Sequence, residues 1–254
     1  MKEKNTERIR KLFFLVAIFV FCISASLLFR KRKDDQKAIE VYNQVQMQAV
    51  HFAPGFDGGV QTVGPENELS AESGTSKIIP WYELAQVNFD YLQSENSDIC
   101  GYLIFENEDI RYPILHGETN DAYLRTTYLG EHSTSGSIFM DCSNAPDFSD
   151  KHIIIYGHNM KNRTMFGKLK YYMTEEGYHE NHMYFQIHMP DRMERYRIFE
   201  YKVVNADDAI YRLEKAQSDI EQDGPTRITL STCSGDTKRM IVRAEKVDEK
   251  VREE

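Results

Sequence analysis

A thiolate is the strongest nucleophile a side chain offers near neutral pH, and the chain holds four cysteines. Cys22 lies inside an apolar run and reads as packing. Cys100, before Gly101-Tyr102-Leu103, opens a strand-like run and reads as structural. Cys142, in Asp141-Cys142-Ser143-Asn144, and Cys233 both close strand-like runs, so position alone does not separate them. Cys233 follows the run at 227–232 and meets the small polar turn Ser234-Gly235-Asp236, where a thiol is accessible.

A nucleophile needs a proton carrier and charge stabilisation nearby. Of eight histidines, His158 stands out. It follows Ile153-Ile154-Ile155-Tyr156 and Gly157, a pattern that lets a turn present the imidazole at a strand mouth. His179, His182 and His188 lack the i, i+4 spacing of a helical metal pair and have no cysteine near, so the sequence calls for no metal and no cofactor. Arg239 and Arg243 share one face of a strand-like run. If the turn at 234–238 joins antiparallel neighbours, Arg239 approaches the Cys233 thiol across a hairpin. Taken singly, each of these residues has an ordinary structural reading.

The elements that must position them follow from periodicity. From Ile99 onward, eight short runs alternate with turn residues: CGYLIF, IRYPIL, GSIFMD, KHIIIYG, MYFQIHM, RYRIFEYKVV, TRITLSTC and KRMIVRAEKV. Eight such runs predict a mainly β, closed or nearly closed barrel. Short helical stretches are expected near 165–172 and 211–220, and the charged end after Val247 is expected to fray. Upstream, a helix is predicted from Pro80 through Leu92, with Pro at its start. A composition rich in Pro, Gly and Ser makes 53–76 a linker. The stripe Ala38, Tyr42, Val45 and Ala49 predicts a helix standing off the membrane.

Residues 12–29 (LFFLVAIFVFCISASLLF) form an almost unbroken apolar run. At about 1.5 Å per residue it spans roughly 27 Å, close to the hydrocarbon thickness of a bilayer. The weak small-residue site Ser24-Ala25-Ser26 suggests a cleaved signal peptide. However, Leu27-Leu28-Phe29 continue the run and Arg30-Lys31-Arg32-Lys33 follow, which favours an uncleaved anchor. Basic residues balance on the two sides, so charge does not orient it. The domains expected are a tail at 1–11, an anchor at 12–29, a helical stalk and linker at 30–79, a catalytic barrel at 80–248 and a charged tail at 249–254. Lys+Arg totals 31 against 40 Asp+Glu, a formal charge of −9, which argues against nucleic-acid binding. Four cysteines in 254 residues exclude a disulfide scaffold.

The strings YGHNM at 156–160, TLSTC at 229–233 and RMIV at 239–242 together resemble the sortases, class B most of all. GSIFMD at 136–141, YPILHG at 112–117 and Asn120-Asp121-Ala122-Tyr123-Leu124 are similar to the family as well. The resemblance implies an eight-stranded sortase-type barrel with N-terminal helices, preceded by one transmembrane helix. It implies a cysteine transpeptidase outside the membrane of a Gram-positive-type cell, with the N-terminus cytoplasmic. Its partners would be surface proteins bearing a C-terminal sorting signal and an amine of the peptidoglycan precursor. It implies that Cys233 attacks a Thr carbonyl in the signal, His158 moves protons and Arg239 stabilises charge. Ser231, Thr232, Asn120 and Leu124 match positions near the substrate groove. Class B members often carry a long helical insertion before the strand that ends in the cysteine. Here 207–224 is short, so the exact signal does not carry over. The competing readings are a membrane-anchored cysteine peptidase transferring to water, a pilin-polymerising sortase of another class, and a surface β-domain that binds a partner without catalysis.

Overall fold

The computed structural model describes residues 2–54, 56, 79–213, 224–235 and 237–252. A single helix, α1 (Lys2–Ala49), opens the chain. No Gly or Pro falls within it, so nothing breaks its backbone ladder before Pro54. Among the described residues it is the helix long and apolar enough to cross a membrane, and its apolar side chains are bare of protein contacts over that span. Farther on, the predicted stripe Ala38, Tyr42, Val45 and Ala49 is buried. The stripe does not stand free: it packs against the barrel, with the Tyr42 ring edge-on to Tyr112 at 5.3 Å. The apolar span and the buried stripe therefore lie on one continuous helix, seated on the domain through the stripe.

The helix expected from Pro80 is broken up. A 3₁₀ turn at Trp81–Glu83 leads into β2 (Ala85–Val87), which pairs antiparallel with β1 (Val50–Phe52). The edge of β1 offers this segment a ladder, and tertiary pairing overrides its helical period. Asn88 then caps a new helix, α2 (Phe89–Glu95), by accepting from the Tyr91 amide at 3.0 Å.

All eight strand-like runs are strands. They are β3 (Ile99–Phe105), β4 (Arg111–Leu115), β5 (Ile138–Met140), β6 (His152–Tyr156), β7 (Tyr184–His188), β8 (Arg192–Asn205), β9 (Arg227–Cys233) and β10 (Lys238–Val251). They close in the order β10-β8-β7-β3-β4-β5-β6-β9. Closure removes every free edge. The end of β10 does not fray after Val247, because Glu249, Lys250 and Val251 pair with Glu194, Met193 and Arg192 of β8. The helical stretch expected near 165–172 is shifted into two short helices, α3 (Tyr171–Thr174) and α4 (Tyr178–Asn181). At 211–220 only the start is described: a 3₁₀ turn at Ala209–Tyr211. Residues 214–223 and most of the linker at 53–76 lie outside the described residues.

Two pairings decide where the chemistry can sit. The β6–β9 pair is parallel, with Tyr156 opposite Ser231, so both strands reach their C-terminal ends at one rim. The β9–β10 pair is antiparallel, so β10 begins at that same rim. The core is largely apolar, and some of its buried polar groups bond one another. Glu106 receives two hydrogen bonds from Arg195, each 2.8 Å, and one of 3.0 Å from Gln186. Beside them, burial pushes the His188 imidazole down to about 3, so it is neutral at physiological pH. His179 and His182 hydrogen-bond the Ile198 and Tyr178 carbonyls respectively, and His188 bonds Gln186, so the three rings serve three separate local contacts.

Candidate active site

At the shared rim lies a cavity of about 430 Å³. Its lining includes His158, Cys233, Arg239, Ser231, Thr232, Asn120 and Leu124, every site residue the sequence singled out. Cys233 ends β9 with its side chain exposed. Arg239 lies directly opposite it in the β9–β10 register, as the hairpin argument expects. Directly opposed residues in an antiparallel pair hold their Cβ atoms about 5 Å apart on one face. The guanidinium donates to the Lys238 carbonyl at 3.0 Å, leaving further N–H groups for another acceptor.

His158 follows the end of β6. The Gly157 amide donates to the Ser231 carbonyl at 3.1 Å, and Asn159 donates to the Cys233 carbonyl at 2.8 Å. The segment bearing the imidazole is thus tied to the strand bearing the thiol. Gly157 is required for space. A Cβ there would stand 2.4 Å from the Ile138 Cδ1 and 2.7 Å from the Phe166 ring. The imidazole Nε2 lies 2.7 Å from the Leu124 carbonyl oxygen. A carbonyl only accepts, so Nε2 carries the proton and Nδ1 is left as the atom that exchanges protons.

The other cysteines separate clearly. Cys100 is packed against β4, its Sγ 3.4 Å from the Ile114 carbonyl, and burial pushes its thiol up to about 12. Cys142 follows β5 and does not line the cavity; its backbone N–H donates to the Asn120 Oδ1 at 2.8 Å. Cys22 is on the exposed apolar span of α1.

One wall is a hydrogen-bonded relay that sequence reasoning missed. Asp141, itself buried, accepts from Asn120 and from the Tyr156 hydroxyl, each at 2.9 Å. Burial and the Asp141 charge both push the Tyr156 hydroxyl upward, so it stays a donor. Asn120 therefore lines the cavity with its amide already engaged. Tyr211 stacks on Tyr156 with ring centroids 6.4 Å apart, and its hydroxyl lies 2.8 Å from the Ser231 Oγ. Burial raises the Tyr211 hydroxyl pKa, while the Ser231 hydrogen bond and the nearby Arg239 charge pull it down. Tyr156 was legible as the first residue of YGHNM. Tyr211 sits in a segment without strand period, where nothing marked it.

Residues 105–247 match the Sortase domain family. The chain belongs to the sortase family. Over 185 residues this sortase is 30% identical to Sortase B of Staphylococcus aureus, covering 64% of the chain and 75% of that protein. Over 85 residues it is 45% identical to Sortase B of Listeria monocytogenes, covering 34% of the chain and 35% of that protein. A solved Streptococcus pyogenes class B sortase involved in pilus biogenesis superposes with a TM-score of 0.55 at 28% identity, covering 63% of this sortase and 97% of that chain. The eight-stranded barrel, the cysteine-transpeptidase class and action on sorting-signal substrates follow from the family. The N-terminal apolar helix of the sortase is compatible with a membrane anchor.

Proposed function

We propose that this sortase cleaves a C-terminal sorting signal with Cys233, holds the acyl part as a thioester and transfers it to an amine of the peptidoglycan precursor. The register that sets Cys233 opposite Arg239, beside a cavity also lined by His158, is the observation that carries this reading. Nδ1 of His158 takes the Cys233 thiol proton, the thiolate attacks the scissile carbonyl carbon, and the C–N bond breaks as the tetrahedral intermediate collapses. His158 gives its proton to the departing amine and later takes one from the incoming amine. The second collapse expels the thiolate and restores the enzyme. Splitting one acyl transfer into two steps lowers each barrier. Arg239 keeps its proton at every step, so its work is to donate to the developing oxyanion and to aim the substrate. Ser231, Thr232, Asn120 and Leu124 contact the signal in the groove. The N-terminus lies in the cytoplasm and the barrel outside, tethered by α1.

Water is the competing acceptor. When full-length protein in detergent micelles is incubated with a signal peptide and a glycine-type amine, mass spectrometry should show the amine-joined product in excess over the acid. A product that is only the free acid at every amine concentration would make the protein a peptidase.

Arg239→Lys should lower kcat by about two to three orders of magnitude, the range for removing one oxyanion donor. Lysine keeps the charge but lacks the planar fork that reaches two acceptors at once. Near wild-type turnover in the same assay would remove Arg239 from that role.

A further inference from the structure

The imidazole of His158 is held by a loop, and the loop is held by the membrane helix. Leu124, whose carbonyl accepts from His158 Nε2, lies in the connection between β4 and β5, residues 116–137. That carbonyl has no strand ladder to fix it. It is fixed from behind by Gly136, at φ +55°, where a Cβ would stand 2.5 Å from the Leu124 oxygen and 2.8 Å from the Tyr123 oxygen. Glycine alone allows the two backbone stretches this close. Ser137 clamps the same stretch twice: its amide donates to the Tyr123 carbonyl at 3.0 Å, and its hydroxyl donates to the Thr126 carbonyl at 2.7 Å.

The outer side of this clamp is gripped by α1. The Tyr42 hydroxyl lies 2.8 Å from the Gly136 carbonyl and 3.0 Å from the Ser137 Oγ, and its one proton is shared between them. The residue is buried, so these bonds are shielded from competing water. Lys37 adds an ion pair with Glu131 of the same loop at 2.9 Å, but both partners are well exposed and the pair contributes little.

We propose that Tyr42 is a positioning residue for His158, acting through Gly136, Ser137 and the Leu124 carbonyl, so that the seated membrane helix sets the tautomer and aim of the imidazole. This rests on the acid–base reading of His158 given above. Tyr42 is not among the residues that line the cavity. Its loss loosens the backbone that carries the Leu124 carbonyl, and so the proton carrier, more than the groove wall that Leu124 also lines. The chemical step therefore slows more than binding of the signal weakens. An imidazole released from the carbonyl also samples the other neutral tautomer, which puts the proton on the wrong nitrogen.

The test uses full-length protein in detergent micelles, a sorting-signal peptide and an amine acceptor. Tyr42→Phe keeps the ring against Tyr112 and removes the hydroxyl. It should lower kcat about tenfold with KM held within about twofold, as expected when a reacting group is slightly misplaced. In ¹⁵N-histidine-labelled protein, the His158 ring, assigned by its loss in His158→Ala, should show the Nε2–H signature in the wild type and a mixed signature in Tyr42→Phe. Ser137→Ala, which removes the clamp from the loop side, should move both readouts the same way. Wild-type kcat and an unchanged Nε2–H signature in both variants would overturn the proposal. Should Tyr42→Phe not fold, Ser137→Ala decides it on the same two readouts. If His158→Ala stays active while Tyr42→Phe still shifts the tautomer, the acid–base reading falls and the positioning by Tyr42 stands.

Discussion

Cys233→Ala should leave no covalent adduct when the enzyme meets its signal peptide, and turnover should drop to the uncatalysed background. The wild type should gain the mass of the acyl fragment on the tryptic peptide that contains residue 233. The expectation is total because no other group in the cavity can replace the sulfur. Of the remaining thiols, Cys100 is buried and its thiol is pushed up to about 12, so it carries almost no thiolate near neutral pH. Cys22 sits in the apolar span of α1. Cys142, on the turn after β5, directly follows the cavity-lining Asp141 but is not itself part of the lining. The Ser231 hydroxyl that lines the cavity is paired with the Tyr211 hydroxyl rather than with a base that could activate it. An adduct that survives Cys233→Ala and maps to Cys142 would relocate the nucleophile and, with it, the assignment of Arg239. Unchanged thermal unfolding of the variant would show that the barrel is intact, since an exposed thiol at a strand end contributes little packing.

The strands were readable because each presents a period-2 or fully apolar run between turn residues, and closure then leaves few ways to order them. What periodicity does not encode is which ends meet. The parallel β6–β9 pair brings Tyr156 beside Ser231 across 74 intervening positions, and no local pattern announces it. The hairpin was different: the short turn at 234–238 places Arg239 opposite Cys233 from spacing alone. The N-terminal region misled for a physical reason. The segment 81–92 carries a helical stripe, but β1 supplies an edge that takes residues 85–87 into a ladder, and Asn88 restarts the helix. Likewise the charged run after Val247 looked frayed because ladder pairing with β8 is invisible in composition. Asp141 and Tyr211 escaped notice because their roles are contacts between distant segments: a buried carboxylate joining Asn120 to Tyr156, and a phenol on a 3₁₀ turn facing Ser231.

His158→Ala should lower kcat/KM on an amide substrate by roughly 10²- to 10⁴-fold, the span typical of a lost general acid–base. The structure says which half-reaction suffers more. An amine expelled without a proton is a very poor leaving group, so acylation depends on the proton that Nδ1 takes from the Cys233 thiol and passes on, while Nε2 keeps its own proton on the Leu124 carbonyl. An ester in place of the scissile amide expels an alkoxide of much lower basicity. The loss in His158→Ala should therefore shrink by at least about tenfold on the ester, in line with Brønsted behaviour. Thioester formation measured by rapid quench isolates that step. Equal losses on amide and ester would mean that His158 does not protonate the leaving group, and its work would then reduce to holding the thiolate. Wild-type rates on both would exclude the imidazole from the reaction altogether. In either case Arg239 could not take over, because a guanidinium does not release a proton at physiological pH.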